Sequence, residues 1–555
     1  MIHGEGEVLV PAHLNFGRFV LDRLRGAKPD QTCLRNCTSG EQLTFREFTQ
    51  YAVRLGAALA QLGVGRGDTV ALGGEPRVTF MATGLAVVVT GAAYTPIPLS
   101  CGSATLTHKL KLTKPKYFIC TRLFWETHST TLKSLDFIET FICFDDIEDI
   151  KLSVKELVSS QSHVDVDAFE PAVVSGDEVA VVLYSSGTTG MSKGVMITHL
   201  SCIVRCDTQG WYGFDSLQTA YFAGDDQCGS YGIFPVYTFW CAGKTMVYSE
   251  DDVDLRIIQD YKVDVMPTVP AFAEELLNSK GEYDLSSLKI IYTGTAPLHL
   301  STAKAFKERQ AQHPPGESTL YWPCLPFYMV TGHAKNFKIF LTHEKKLCRY
   351  PNIELLNIYG TTEAHMITTQ GPSPIGTTTI GVAAPGVTIK VVDTETRATL
   401  GPNQRGEICV RSPFLMKGYL GATAGYLDEQ GFYLTGDLGY YDEQKKFYLE
   451  GRLTDIIHHH LGYKISPLEL EEILLGHPAV REAGVVGLAE GGGERPAAAV
   501  VLRPGASATE AELQDYVDSK VTWYMKLSGG VRFVCELPRN AQQKILRRTL
   551  KDMLA

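Results

Sequence analysis

Short apolar runs rich in β-branched and aromatic residues alternate with stretches of helical periodicity along most of this chain. The runs fall at residues 69–72, 117–120, 179–184, 290–293 and 355–358. Such alternation predicts strands joined by crossover helices, and so an α/β lobe with largely parallel sheets. The longest apolar stretch, residues 80–99, is broken by Gly84, Gly91, Pro96 and Pro98. It reads as a buried helix running into a strand and not as a membrane span. From Gly406 the pattern changes to short strands and turns, through GEICVRSP and KKFYLEGR. After Ser466 alternation resumes with the helix PLELEEILLGH, the strands EAGVVGLAE and AAAVVLRPG, and a helix starting near Ala508. The glycines at 491–493 read as a turn between those two strands. This last stretch predicts a separate small α+β domain, joined to the rest between Gly451 and Asp455. The expected division is a large multi-subdomain N-terminal lobe, residues 1–451, and a small C-terminal domain, residues 452–555.

Length and composition narrow the class without choosing within it. A chain of 555 residues is too long for one ordinary core, and 44% apolar with 21% charged residues is a globular balance. The net charge of -10 comes with no long basic run, which argues against a nucleic-acid partner and for small-molecule chemistry. Thirteen cysteines, an odd and widely spaced set, read as reduced thiols; neither Cys33/Cys37 nor Cys202/Cys206 has zinc-ligand surroundings. The N-terminal MIHGEGEVLVPAH has acids early and no apolar core of signal length, so a cytoplasmic location is expected. The C-terminal KDMLA is not a Ser-Lys-Leu peroxisomal address, which lowers that alternative.

The strand VAVVLYSS empties into GTTGMSKG. Glycines at Gly187 and Gly190 let backbone N–H groups approach phosphate oxygens, Ser185, Ser186, Thr188 and Thr189 add hydroxyl donors, and Lys193 adds a positive charge. The spacing is not that of a Walker loop, since Gly-Lys-Ser/Thr is absent and Ser192 precedes Lys193. A Ser/Thr/Gly surface turn is the bland alternative for any such string taken alone.

The string YSSGTTGMSKGV resembles the signature loop of the acyl-adenylate superfamily, which includes acyl-CoA synthetases, 4-coumarate–CoA ligases and beetle luciferases. Further motifs follow in that family's order. TGTAP resembles the segment whose Gly294, Thr295 and Ala296 lie along adenine, and IYGTTEA the one in which Tyr359 stacks on adenine beside Gly360. The resemblance implies that Thr362 contacts the α-phosphate and that Glu363, with Thr189, holds Mg2+, a hard cation suited to oxygen ligands. It implies a ribose-binding Asp437 in LTGDLG and, in GRLTD, an Arg452 that reaches ribose and phosphate. LPRNAQQKILRR aligns Lys544 with the family's catalytic lysine; a solvated basic cluster with Arg547, Arg548 and Lys551 is the alternative. The implied reaction is ATP plus a carboxylate giving acyl-AMP and pyrophosphate, then thiol attack by CoA. Between the steps the small domain is expected to be mobile about a hinge at Thr454, with Gly462 and Tyr463 bordering the CoA tunnel.

Departures from the family pattern gather in five places. Ser192 replaces a proline, Gln543 replaces a glycine before Lys544, and His458 to His460 stand where lysines are usual. Three adjacent histidines alternate their direction along a strand, which suits a solvated loop better than a metal site. In the acyl region DDQCGSYG places Cys228 and Gly229 where histidine is common, which implies either more room for substrate or a repacked core. Pro297 and Tyr359 stand 62 positions apart, and joining Arg309 to Tyr350 restores family-like spacing while leaving out residues 310–349. That stretch is an insertion or translated intervening sequence. The expected activity is an acid–CoA ligase of the 4-coumarate or medium-to-long-chain acyl type. Transfer to a carrier protein, a luciferase-like monooxygenase and a non-catalytic nucleotide- or acyl-binding protein are the alternatives.

Overall fold

The computed structural model describes residues 1–5, 15–185, 192–206, 213–223, 228–250, 253–278, 283–294, 298–311, 353–370, 379–421, 425–461, 463–540 and 544–555. Ser186 to Gly190, Thr295, Ala296, Gly462 and most of residues 310–349 lie outside the described residues. The helix Leu300–Ala311 runs two residues into that last stretch.

The apolar runs become the parallel strands predicted for them. Thr69–Gly74 sits between Ala93–Pro98 and Tyr117–Cys120 in an eight-stranded sheet, parallel to both. The stretch at 80–99 is a helix, Phe80–Val89, with all ten residues buried, followed by that strand. Gly91, at φ 84°, makes the turn between them in a conformation open chiefly to glycine. Beside Ala93–Pro98 lies Val179–Ser185, and antiparallel to it a strand the hydrophobic pattern did not predict, Lys193–Thr198. Ser185 and Lys193 are register partners, so both ends of the glycine-rich loop are fixed at one point of the sheet.

A second sheet of seven strands brings the other motifs together. Ile290–Thr293 and Glu354–Asn357 are parallel neighbours, with Thr293 opposite Asn357. The segments beginning at Gly294 and Ile358 therefore leave adjacent carboxyl ends of one sheet, the place where open α/β sheets bind ligands. A third, antiparallel sheet contains Gly406–Arg411, Tyr433–Tyr441 and Phe447–Arg452, and its register sets Asp437 opposite Arg452.

The C-terminal part is a small α+β unit. Val480–Glu490 and Gly493–Leu502 form a hairpin whose turn glycines, Gly491 and Gly492, have φ of 55° and 87°. Val531–Phe533 adds to it in parallel, and the helices Pro467–Leu475, Glu510–Asp518 and Arg547–Leu554 flank the sheet. One of its apolar clusters is built wholly from residues between Ile457 and Val531. Large N-terminal and small C-terminal domains thus have their own cores. Among the described residues no helix is long and apolar enough to cross a membrane.

Candidate active site

A cavity of about 370 Å³ opens where these elements meet, lined among others by Ser185, Lys193, Gly294, Gly360, Thr362, Glu363, Arg452, Thr454 and Lys544. Residues far apart in sequence thus share one wall. Tyr359 and Asp437 stand just behind it, and both are buried.

Asp437 is the electrostatic centre of one side. Its Oδ1 forms an ion pair with Arg452 Nε at 3.0 Å and its Oδ2 accepts from the Tyr359 hydroxyl at 2.6 Å. Burial raises the carboxyl pKa, while Arg452, the Tyr359 hydrogen bond and the Lys544 charge oppose that rise. Arg452 in turn is raised, chiefly by Asp437.

Lys544 is held by its own backbone. Its N–H donates to Asn540 Oδ1 at 2.9 Å, its carbonyl accepts from Asn540 N–H at 3.0 Å, and Arg539 pairs with Ile545 across the loop. Burial lowers the ammonium pKa, the Arg452 charge lowers it further, and Asp437 and Glu363 pull it back. The basic cluster around it is divided. Arg547 turns inward to Glu471, at 2.6 Å, and to Asp455, at 3.4 Å, while Lys551 pairs with Glu494 at 2.6 Å.

The Thr362–Glu363 segment is fixed by residues the motifs did not reveal. Arg205, 1% exposed, donates to the carbonyls of Thr362 at 3.1 Å, Glu363 at 3.3 Å and Phe414 at 2.8 Å. Burial lowers its pKa to about 10. Glu363 Oε1 accepts from the Tyr419 hydroxyl at 2.8 Å, and the Lys193 ammonium lies 5.0 Å from the centre of the Tyr419 ring. His108 Nε2 meets the Ser192 carbonyl at 2.8 Å, anchoring the end of the glycine-rich loop. The only sequence signal for Arg205 was a cation closing the apolar string HLSCIVR. Tyr419 and His108 carried none.

Other expected positions lie apart or at the margin. Thr454 is at the cavity edge, its hydroxyl 3.3 Å from Asp455 Oδ1. Tyr463 lies in a surface aromatic group, stacked on Tyr524 at 4.2 Å and 8° and edge-on to Trp523. Of the three histidines, His458 and His460 are exposed, as a solvated loop predicts, and His459 is half-buried. His459 packs against His460 at 4.1 Å and against Trp523 at 5.6 Å, because the neighbouring aromatic surface attracts the ring. In the acyl region Gly229, Ser230 and Tyr231 line the cavity; the Tyr231 hydroxyl is engaged by the carbonyls of Thr268 and Tyr292, at 2.9 and 3.0 Å.

Comparison with known proteins settles the family. The AMP-binding enzyme family matches residues 21–324 and 340–420, and the AMP-binding enzyme C-terminal domain matches residues 469–544. This chain is an AMP-binding enzyme of the acyl-adenylate-forming superfamily. The family match is interrupted only at residues 325–339, inside the 310–349 stretch. Among relatives, a luciferin 4-monooxygenase of Nipponoluciola cruciata is 31% identical, over 96% of this chain and 92% of that one. A 4-coumarate–CoA ligase 1 of Petroselinum crispum is 28% identical, over 99% and 96%. In fold, the chain superposes on ATP-bound MatB from Rhodopseudomonas palustris with a TM-score of 0.80 and 24% identity, over 97% of this chain and 99% of that one. AMP-binding enzymes of this superfamily use ATP to activate an acid, and this chain shares that chemistry.

Proposed function

We propose that this chain couples ATP to a carboxylic acid and passes the acyl group to CoA, as an AMP-forming acid–thiol ligase of the 4-coumarate or medium-to-long-chain acyl type. The observation that carries the reading is the convergence of Lys193, Arg452 and Lys544 on the cavity that also holds Thr362 and Glu363. Cations from three separate segments surround a space where a triphosphate would bring negative charge.

In the first step an acid oxygen attacks the α-phosphorus, the bond from the α-phosphorus to the α,β-bridging oxygen breaks, and pyrophosphate leaves with the electron pair. Negative charge builds on the equatorial oxygens and on the leaving group. Lys544, already positioned by Asn540 and partly desolvated, stabilises that charge without reorganising. Thr362 contacts the α-phosphate, Arg452 spans ribose and phosphate, and Asp437 takes the ribose hydroxyls. Ser185 and Lys193, register partners at the ends of the glycine-rich loop, border the space for the remaining phosphates. Glu363 borders the cavity, its carboxylate tethered by the Tyr419 hydroxyl and its backbone carbonyl by Arg205. This oxygen donor set fits Mg2+, with Thr189 as a second ligand. Bound there, the cation would neutralise phosphate oxygens.

In the second step the CoA sulfur attacks the carbonyl carbon of the mixed anhydride, the C–S bond forms and AMP leaves. We assign Thr454 as the hinge for reorienting residues 452–555 against residues 1–451 between the steps, with Gly462 and Tyr463 along the CoA path. The luciferin 4-monooxygenase relatives favour a second reading in which oxygen, not a thiol, consumes the adenylate. A panel of acids tests both: acid-dependent exchange of pyrophosphate into ATP, then thioester with CoA, then oxygen uptake. Exchange with thioester is expected. Exchange with oxygen uptake and no thioester overturns the ligase half, and no exchange with any acid overturns the whole reading.

A further inference from the structure

We propose that Glu472 is a positioning residue for acid activation: it docks the small domain on the start of the helix Leu300–Ala311 and so sets Lys544 in the cavity. This rests on the acid-activation reading above and names what holds its lysine in place.

The sequence leaves that helix start incomplete. His299 stands before the first helical residue, where Ser, Thr, Asp or Asn usually supplies an oxygen, and the first turn has no acid. Glu472 of the small domain supplies a carboxylate instead. The Leu300 N–H donates to its Oε1 at 3.1 Å and its Oε2 at 3.2 Å, and His299 Nδ1 meets Oε1 at 2.8 Å. A helix start favours negative charge at that place. The two side chains are 23% and 32% exposed, so water screens them only in part. Another carboxylate contact between the domains, Lys464 with Glu395 at 3.0 Å, is 45% and 78% exposed and contributes little.

The helix that carries Glu472 also grips the Lys544 loop. In Pro467–Leu475 the preceding residue, Glu471, is 1% exposed, takes the Arg547 guanidinium in a fork at 2.6 and 3.0 Å, and accepts from the Val485 N–H at 2.7 Å. Arg547 follows Lys544 by three residues. Successive residues of a helix point about 100° apart, so one carboxylate turns into the small domain while the next reaches out of it. Leu470 and Leu474 fix the helix itself, fully buried in the small domain's core. Helix, core and Lys544 loop therefore move as one body. Away from the joint at 451–455, Glu472 is the better shielded of that body's carboxylate contacts with the large domain. Misplacing a catalytic group by about 1 Å can cost about 100-fold in rate.

The test follows exchange of labelled pyrophosphate into ATP by the full-length enzyme, with an acid that wild type accepts. We expect Glu472→Ala to lower kcat for exchange by roughly 5- to 30-fold with ATP affinity little changed, and Glu472→Gln, which keeps an oxygen for the Leu300 N–H, to lose less. A residue that acts through Lys544 has nothing to act on once the lysine is gone. In Lys544→Ala the same change should therefore move the remaining exchange by less than about twofold, whereas a merely structural loss would persist there. Thermal unfolding reports whether each variant is folded. If Glu472→Ala is not, Glu472→Gln with and without Lys544 must show the same pattern at smaller size. Exchange by the folded variant within about twofold of wild type, or an equal loss with and without Lys544, overturns the proposal while leaving acid activation intact. Absence of exchange by wild type with every acid overturns acid activation itself, and this inference with it.

Discussion

At the scale of single residues, the site is organised by pairs whose members constrain each other's charge. Burial and the Arg452 charge lower the Lys544 ammonium pKa, and the Asp437 and Glu363 carboxylates oppose that fall. Replacing Lys544 with Ala is expected to cut pyrophosphate exchange by at least about 100-fold. ATP binding, carried by the other residues of the cavity, should change little. Calorimetric titration with ATP beside the exchange assay checks this, and full exchange in the variant would refute the role.

His199 makes a different kind of prediction, about stability. Its ring is fully buried, Nδ1 accepts from the Phe16 N–H at 3.1 Å, and burial lowers its pKa from 6.5 to about 4. Between those values the unfolded chain binds a proton that the folded one refuses. Stability from this group is therefore whole above pH 6.5 and falls as pH drops towards 4, by about 3 kcal/mol in all. His199→Asn keeps an acceptor for Phe16 but cannot titrate. Urea unfolding at pH 7 and pH 5 should show a smaller acid loss in the variant than in wild type.

At the scale of elements, strand register does the work of placing chemistry. Asp437 meets Arg452 because the strands Tyr433–Tyr441 and Phe447–Arg452 pair at that position, and Ser185 meets Lys193 in the same way. The bridge of Gly360–Thr361 with His365–Met366 turns the Glu363 segment towards the cavity. It depends on close approach at Gly360, where any side chain strikes backbone. Gly360→Ala should displace Thr361 to Glu363 and lower exchange at least about tenfold. Global unfolding should shift by only about 1–3 kcal/mol, in the range of overpacking. Exchange kinetics and denaturant unfolding of the same protein separate the two effects. An alanine variant with wild-type exchange would show that the bridge does not position the segment.

At the scale of the whole molecule, the small domain presents Lys544 to the cavity while Tyr463 lies in an exposed aromatic group. That arrangement suits acid activation, and the proposed transfer to CoA would need another. Arg547 ties Asp455, the neighbour of Thr454, to Glu471 of the small domain, so the hinge proposed at Thr454 is bonded to the unit it would turn. Proline fixes φ and removes an N–H donor. Thr454→Pro is expected to leave exchange within about threefold of wild type while thioester formation falls by more than tenfold. Single-turnover measurement of acyl-AMP and of thioester follows the two steps separately, and equal loss in both would assign Thr454 to the chemistry instead.

The sequence by itself determined most of the elements, though not the strand Lys193–Thr198, and the identity of the motif residues, because both are local. Strand and helix periodicity is written over a few adjacent positions. The runs at 117–120 and 290–293 became strands with the same limits, and the run at 355–358 shifted by one residue. The order of Lys193, Thr362, Glu363, Asp437, Arg452 and Lys544 was equally legible. Tertiary structure alone decided which of these share a wall, the bond from Tyr359 to Asp437 and the Arg205 grip on the Glu363 segment. Each of those depends on the distance between groups up to hundreds of positions apart. Burial then sets the strength of every charge and hydrogen bond among them, and burial is a property of the packed chain.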